Sequence, residues 1–393
     1  MKDAYLEIAR RILPLPTAPG QEHHVVREIA ALASTEALPL SVDPFGNLTL
    51  RTPALAKGEP APITLTAHLD HPGLGLSAVE PSGELLFRPF GNMPVEMAVG
   101  RELLLFTSQG DSKSPIARCT AVAYRERGVA GPFGEGPGFV GRLSEGNPHT
   151  FDLAHTFAMW DLPPLNRRGR RLVGRACDDL AGVAVALTTL VEVTRRQPAE
   201  KLAVFLTRAE ETGFGGILAA VQNGLLSDES LYLNIECSSC RAGAPLGDGP
   251  IIRVGDRRWI FDADITEGLV VAARQCHRDG QGSQPLQRKL MDAGACEATV
   301  LARAGLRVGA VALPLDNYHN QGRHDLQPEA VNIDDAVGLV RILFYLGTAQ
   351  GDPPIRTAIR ELDGLLGERR HLHERALERS AGAIRDITRR VQH

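Results

Sequence analysis

The chain has 393 residues, 43 Lys and Arg against 47 Asp and Glu, a net charge of -4 and 43% apolar residues. That length admits about two domains with buried cores, and the mix of apolar and charged residues excludes wholesale disorder. The slight acidic excess argues against a general nucleic-acid binder, and no run reaches the roughly 18 apolar residues of a membrane span, so neither nucleic acid nor membrane is expected as a partner.

Met1 to Arg11 mixes Lys2, Asp3, Glu7, Arg10 and Arg11 with apolar residues and has no apolar signal-peptide core. A cytoplasmic location is therefore expected, with the six Cys as thiols. Helical periodicity covers residues 3–13 and 24–36, broken by Pro14, Pro16 and Pro19. Leu40 to Asp43 and Leu48 to Leu50 flank the turn Pro44-Phe45-Gly46-Asn47 and read as a hairpin, and Pro62 to Ala67 reads as a buried strand. From residue 73 to about 164, short strand-like runs alternate with turns, as in a small all-β, barrel-like module. Within it, residues 131–138 are glycine-rich and read as a flexible loop, since the context of a dinucleotide-binding loop is lacking.

From residue 172, strand and helix alternate: helices at 179–196, 216–224, 265–276, 294–304 and 333–346, strands at 202–206, 231–235 and 308–313. This predicts an α/β fold with a mixed, largely parallel sheet covered by helices and interrupted by the β-rich insertion. The expected division is 1–72 with 165–350, an insert at 73–164, and a C-terminal helical extension at 351–393. The tail has apolar residues at Ile355, Ile359, Leu362 and Leu366, then Ala376, Ile384, Ile387 and Val391. It reads as a helical hairpin packed on its own domain, or as a subunit contact.

Five segments place acids and histidines at or just past strand ends, the ligand-binding edge of an open α/β sheet. They are Ala67-His68-Leu69-Asp70, Ala176-Cys177-Asp178-Asp179, Ala209-Glu210-Glu211-Thr212-Gly213, Asn234-Ile235-Glu236 and Asn317-Tyr318-His319-Asn320. Each alone reads as a hydrogen-bonded His or a helix cap. Together they converge two imidazoles and several carboxylates without matching cations, a donor set that suits Zn²⁺ or a similar divalent ion. Cys237-Ser238-Ser239-Cys240 has redox spacing but no second pair for a zinc ribbon, and reads as packing. No Gly-x-Ser-x-Gly elbow supports serine hydrolysis.

These motifs jointly resemble the M42 family of metallo-aminopeptidases, in the clan of di-metal peptidases shared with M20 and M28. The resemblance runs from about residue 5 to 347. It rests on residues 16–22, Asp43 to Asn47, Ala67 to Gly73, Gly174 to Gly182, Thr207 to Gly213, Gly247 to Pro250 and Asp292 to Ala298. It implies that His68 binds one metal, that Asp178 bridges two, and that Glu211 binds alongside Glu236 or His319. Asp70 would hydrogen-bond the His68 imidazole, and Glu210 would be the general base. The implied cofactors are two divalent metal ions, Zn²⁺ first, with Co²⁺ or Mn²⁺ as alternatives.

The implied reaction is removal of N-terminal residues from peptide substrates. The alternatives are an M20-like deacylase or carboxypeptidase-type amidohydrolase, or a non-catalytic homologue. The resemblance also implies self-association through residues 73–164, up to a tetrahedral dodecamer. The chain departs from the family pattern at Glu236, where Asp is usual, at His71, where Glu is frequent, at Asn320, where Ser is common, and at Ala293 and Cys296. His71 is open to three readings: an extra ligand, a substrate contact or a surface residue, the last two preferred.

Overall fold

A computed structural model describes residues 1–278, 286–348 and 352–391. Two amphipathic helices, α1 (Lys2–Ile12) and α2 (His23–Thr35), lead into the hairpin of β1 (Leu40–Val42) and β2 (Leu48–Arg51), then β3 (Ile63–His68). Asp43 closes that hairpin by accepting the backbone N–H groups of Phe45 and Asn47.

The chain then leaves the sheet to build β4 (Gly73–Val79), β5 (Leu85–Phe90), β6 (Glu102–Thr107), β7 (Ala117–Val129), β8 (Gly136–Leu143) and β9 (Thr156–Trp160). These six close into an antiparallel barrel in the order β4-β5-β8-β7-β6-β9. Closure leaves no unpaired strand edge. Leu74, Phe87, Leu103, Phe139 and Trp160 fill it, and Leu326, from far along the chain, inserts into the same core. Arg101 pairs with Asp325 at 2.7 Å beside it.

The glycine-rich segment is not loop throughout: its last three residues, Gly136 to Gly138, begin β8. Close approach explains the glycine there, since a Cβ on Gly138 would stand 2.6 Å from the Phe87 carbonyl oxygen. Gly138→Ala is expected to destabilise the chain by about 1–3 kcal/mol through overpacking, seen as a lower denaturation midpoint.

The chain returns through β10 (Asn166–Arg168), β11 (Arg171–Gly174), α3 (Leu180–Arg196), β12 (Leu202–Thr207), α4 (Gly215–Gln222), β13 (Leu231–Ser239) and β14 (Ile251–Asp256). There follow α5 (Ala263–Arg278), β15 (Gln287–Met291), α6 (Glu297–Arg303), β16 (Arg307–Asp316), β17 (Glu329–Asn332), α7 (Ile333–Thr348) and α8 (Asp352–Val391). The large sheet runs β1-β2-β12-β3-β13-β16-β17-β11-β10, with β14 beside β16 and β15 beside β14. Its centre, β12-β3-β13-β16, is parallel, and the flanking pairs on this path are antiparallel. The fold is thus mixed α/β with a small all-β insert.

Helix α3 is apolar on all sides and buried from Leu180 to Val193, between the sheet and helices α1 and α7. On the opposite face, Phe205 and Tyr232 pack against Ile217 of α4 and Leu301 of α6. With both faces covered, the strands read as apolar runs.

The tail is not a hairpin. It forms one helix of 40 residues, α8, seated on α5 through Ile355 and Ala358. Leu362, Leu365, Leu366, Leu377 and Ile384 are exposed. After Pro354 no proline or turn pair interrupts it, and Gly364 and Gly367 cost only about 1 kcal/mol each in a helix. Among the described residues, no helix is long and apolar enough to cross a membrane.

Candidate metal centre

Parallel strands point their carboxyl ends one way, so the segments that follow them meet. His68 ends β3, directly beside Thr207 at the end of β12, and Glu210 and Glu211 form the turn after β12. Glu236 lies within β13, and His319 occupies the turn after β16. Asp178 sits between β11 and α3, and its peptide bond to Asp179 is cis. The structure therefore gathers His68, Asp178, Glu210, Glu211, Glu236 and His319 around one cavity of about 320 Å³.

The two Asp178 oxygens face different partners. Oδ1 lies 3.5 Å from His68 Nε2, which is 3.9 Å from Glu236 Oε2. Oδ2 lies 3.5 Å from His319 Nε2, which is 3.1 Å from Glu211 Oε1. Two ligand sets thus share one carboxylate: His68, Asp178 and Glu236, and Asp178, Glu211 and His319, each with its donor atoms within 4.8 Å of one another. His68, Glu210 and Glu211 form a further set by the same measure.

Several of these buried atoms have no hydrogen-bond partner: Asp178 Oδ1, Glu236 Oε1 and His319 Nε2. Buried polar atoms without partners are costly, and this donor set fits divalent cations. The electrostatics agree. Burial pushes the Glu236 carboxyl up to about 8 and raises Glu210 well above the usual range. Burial opposes charge on both imidazoles, yet the carboxylates of Asp178 and Asp70 raise His68, and those of Glu211 and Asp178 raise His319. Such a cluster is stable either holding protons or surrounding cations.

Strained backbone surrounds the cavity. Ala209 (φ +53°), Phe214 (φ +67°), Asn317 (φ +53°), His319 (φ +53°) and Asn320 (φ +61°) are left-handed, although none is glycine. Buried carboxylates hold these turns. Asp70 accepts the N–H groups of Glu210 and Glu211, each at 3.0 Å, and Glu22 accepts that of Ala209 at 3.1 Å. The expected bond from the Asp70 carboxylate to His68 is therefore corrected. Asp70 Oδ1 is 3.6 Å from His68 Nδ1, out of hydrogen-bond reach, and the imidazole bonds the Asp70 backbone oxygen at 3.1 Å instead.

His71 is likewise not a surface residue. It is buried, with Nδ1 2.6 Å from the Asp178 carbonyl and Nε2 3.2 Å from Asn320 Oδ1. Both ring nitrogens are spent on these bonds, which leaves no atom for a metal or a substrate. Cys237 and Cys240 do not meet: the Cys237 thiol faces the Cys177 carbonyl and that of Cys240 faces Asp316.

Two supports were missed in sequence. Glu329 Oε2 accepts the N–H groups of Cys177 and Asp178 at 2.7 and 3.0 Å, and its Oε1 accepts that of His319 at 2.8 Å. It begins β17, with no acidic or His neighbour to mark it; an acid at the start of an otherwise apolar buried strand is the only signal. The other is a backbone atom, the Asn92 carbonyl in the barrel loop after β5, 2.9 Å from His319 Nδ1. The adjacent Gly91 (φ +81°) lets that loop close in, since a Cβ there would stand 3.0 Å from Pro72 and 3.2 Å from Glu211. An imidazole anchored this way presents Nε2 to a metal.

Glu329→Gln would aim an NH₂ at backbone N–H donors. It is expected to cost about 1–3 kcal/mol of stability and to weaken metal binding roughly 10–100-fold, measured by chemical denaturation and metal titration.

The model of the M42 glutamyl aminopeptidase family matches residues 154–332. Over these residues, somewhat under half of the chain, the sequence is similar to the M42 peptidase family. The M42 match includes Asp178, Glu210, Glu211, Glu236, His319 and Glu329, whereas His68 and Asp70 lie upstream of it. A lysyl aminopeptidase of Pyrococcus furiosus is 26% identical over 106 residues, which are 27% of this chain and 30% of that protein. The chain thus matches under a third of that relative's length.

The TET aminopeptidase of Thaumarchaeota archaeon SCGC AB-539-E09 superposes with a TM-score of 0.72 at 17% identity, covering 90% of this chain and 99% of that one. The TET1 peptidase of Pyrococcus horikoshii, described as assembling into a tetrahedron or a large octahedral shell, gives 0.69 at 20% identity, covering 87% and 99%. At such identities the likeness establishes the fold, which spans the upstream segments and the barrel as well.

Proposed function

We propose that this chain is a metal-dependent aminopeptidase. The observation that carries the reading is the Asp178 carboxylate, whose two oxygens each face a separate imidazole and carboxylate. His68, Asp178 and Glu236 would hold one divalent cation, and Asp178, Glu211 and His319 the other, with Zn²⁺ favoured and Co²⁺ or Mn²⁺ as alternatives. When bound, such a pair acidifies a shared water and polarises the scissile carbonyl.

The chain's own residues supply the rest. Glu210 lines the cavity outside the two sets that share Asp178, and its carboxylate takes the proton of the attacking water and returns it to the departing amine. Asp70 and Glu22 hold the strained turn that aims it. The acidic cavity favours substrates with a free, positively charged α-amine. The names of its relatives, glutamyl and lysyl, differ, so they leave the side-chain preference open. Self-association belongs to the same proposal, supported by the assemblies named for its structural neighbours.

The test is hydrolysis of aminoacyl p-nitroanilides after chelation and re-addition of Zn²⁺, Co²⁺ or Mn²⁺. At least one metal is expected to restore turnover of free-amine substrates and not of their N-acetylated forms. Turnover with no metal added back, or better turnover of acetylated substrates, overturns the reading.

A further inference from the structure

Arg253 lies on β14, opposite Ala310 of β16, and lines the same cavity as His68 and Glu236. The turn leading into its strand is fixed, because the Asp335 carboxylate accepts the N–H groups of Gly247 and Gly249 at 2.7 and 3.0 Å. Arg253 is 4% exposed, and its Nε has no hydrogen-bond partner. Among the described residues, no carboxylate lies within ion-pair distance of its guanidinium.

Other arginines of this region are engaged. Arg175 lies over the Phe106 ring and reaches the Pro14 carbonyl, and Arg208 pairs with Glu22 at 2.7 Å. The acids around Arg253 are committed elsewhere. Asp256 accepts from the N–H groups of Arg258, Trp259 and Cys296 and from the Thr299 hydroxyl. Glu236 turns its Oε2 to His68 at 3.9 Å and makes no ion pair with the guanidinium. Burial works against the charge, but the fields of Cys296, Glu236 and Asp256 raise the Arg253 pKa, so the guanidinium stays charged. A buried, charged guanidinium whose Nε has no acceptor is costly, and a carboxylate meets such a group with two parallel hydrogen bonds.

We propose that Arg253 is the receptor for a carboxylate of the substrate. This rests on the aminopeptidase reading for where the substrate lies. The carboxylate has two chemical sources: the side chain of an N-terminal Glu or Asp, or the free C-terminus of a dipeptide. If Arg253 only offset the acidic cluster, its loss would slow every substrate alike.

The experiment compares kcat/KM for Glu against Gln and for Asp against Asn p-nitroanilides, and for Ala-Ala against Ala-Ala-amide, in the metal-loaded chain, Arg253→Met and Arg253→Lys. Calorimetric titration with free L-glutamate and L-glutamine runs alongside and needs no turnover. A preference of roughly 30-fold or more for one carboxylate-bearing member is expected, since losing one partner of a buried charge pair costs this much or more. It should vanish in Arg253→Met and be partly kept in Arg253→Lys. Preference in the first two pairs assigns the side chain, and preference in the third assigns the C-terminus.

Equal rates within all three pairs in the parent chain, or an equal loss across all substrates in Arg253→Met, overturns the proposal. The parent comparison stands even if the variants do not fold. If no substrate turns over, the aminopeptidase reading falls, and the glutamate-to-glutamine affinity ratio decides the role of Arg253 by itself.

Discussion

Glu210→Gln is expected to lower kcat by about 10²–10⁴-fold, with KM, metal content and thermal stability close to those of the parent. The substitution removes the proton-accepting oxygen and keeps shape and volume. The bonds that place the residue run from its backbone N–H to Asp70, so they survive the change. Burial raises the Glu210 carboxyl well above its usual range, which makes its carboxylate a stronger base than that of an exposed glutamate. Steady-state kinetics with metal analysis of the same samples gives the answer. A Gln variant within tenfold of the parent removes Glu210 from the reaction. A variant that loses metal makes it a ligand, through the set it forms with His68 and Glu211.

Asp178→Asn should abolish turnover by a different route. Asp178 is the only member of both ligand sets, so its loss weakens both at once. Burial opposes ionisation of this carboxyl, yet the imidazoles of His319 and His68 hold it below the usual range, ready to bind. Thermal unfolding with and without metal separates this from misfolding. The parent gains about 2.7 kcal/mol at a free metal concentration 100 times its Kd, and the variant should show almost none of that gain. The Asp178 backbone is held by Glu329 and His71 whatever its side chain, so the fold should persist. Full metal stabilisation in the Asn variant would remove Asp178 from the bridging position.

What the sequence made legible follows from periodicity and from strand ends. The apolar runs within β3, β12, β13 and β16 are buried on both faces, so the acids and histidines toward or just past their carboxyl ends stand out. Supports that act through long-range backbone contacts did not stand out. Glu329 reaches amides about 150 residues away, and the Asn92 carbonyl is an atom every residue possesses. His71 and Asp70 were recognised as residues but not as contacts, because the turn after β3 tucks one imidazole inward and aims the carboxylate at the Glu210 turn. The tail misled for a simpler reason. Its apolar spacing falters between Leu366 and Ala376, which suggested a bend, but helix propensity carries the backbone through.

The carbonyl that aims His319 belongs to the barrel, whereas the other donors belong to the sheet domain. The centre is therefore complete only while the two parts are docked, with Leu326 seated in the barrel and Gly91 pressed against Pro72 and Glu211. Thermodynamic linkage makes this reciprocal: whatever free energy docking contributes to holding a cation, the cation returns to docking. A substitution at the seam, such as Gly91→Val, thus changes ion affinity without altering a single ligand, and saturating metal makes the barrel harder to pull away.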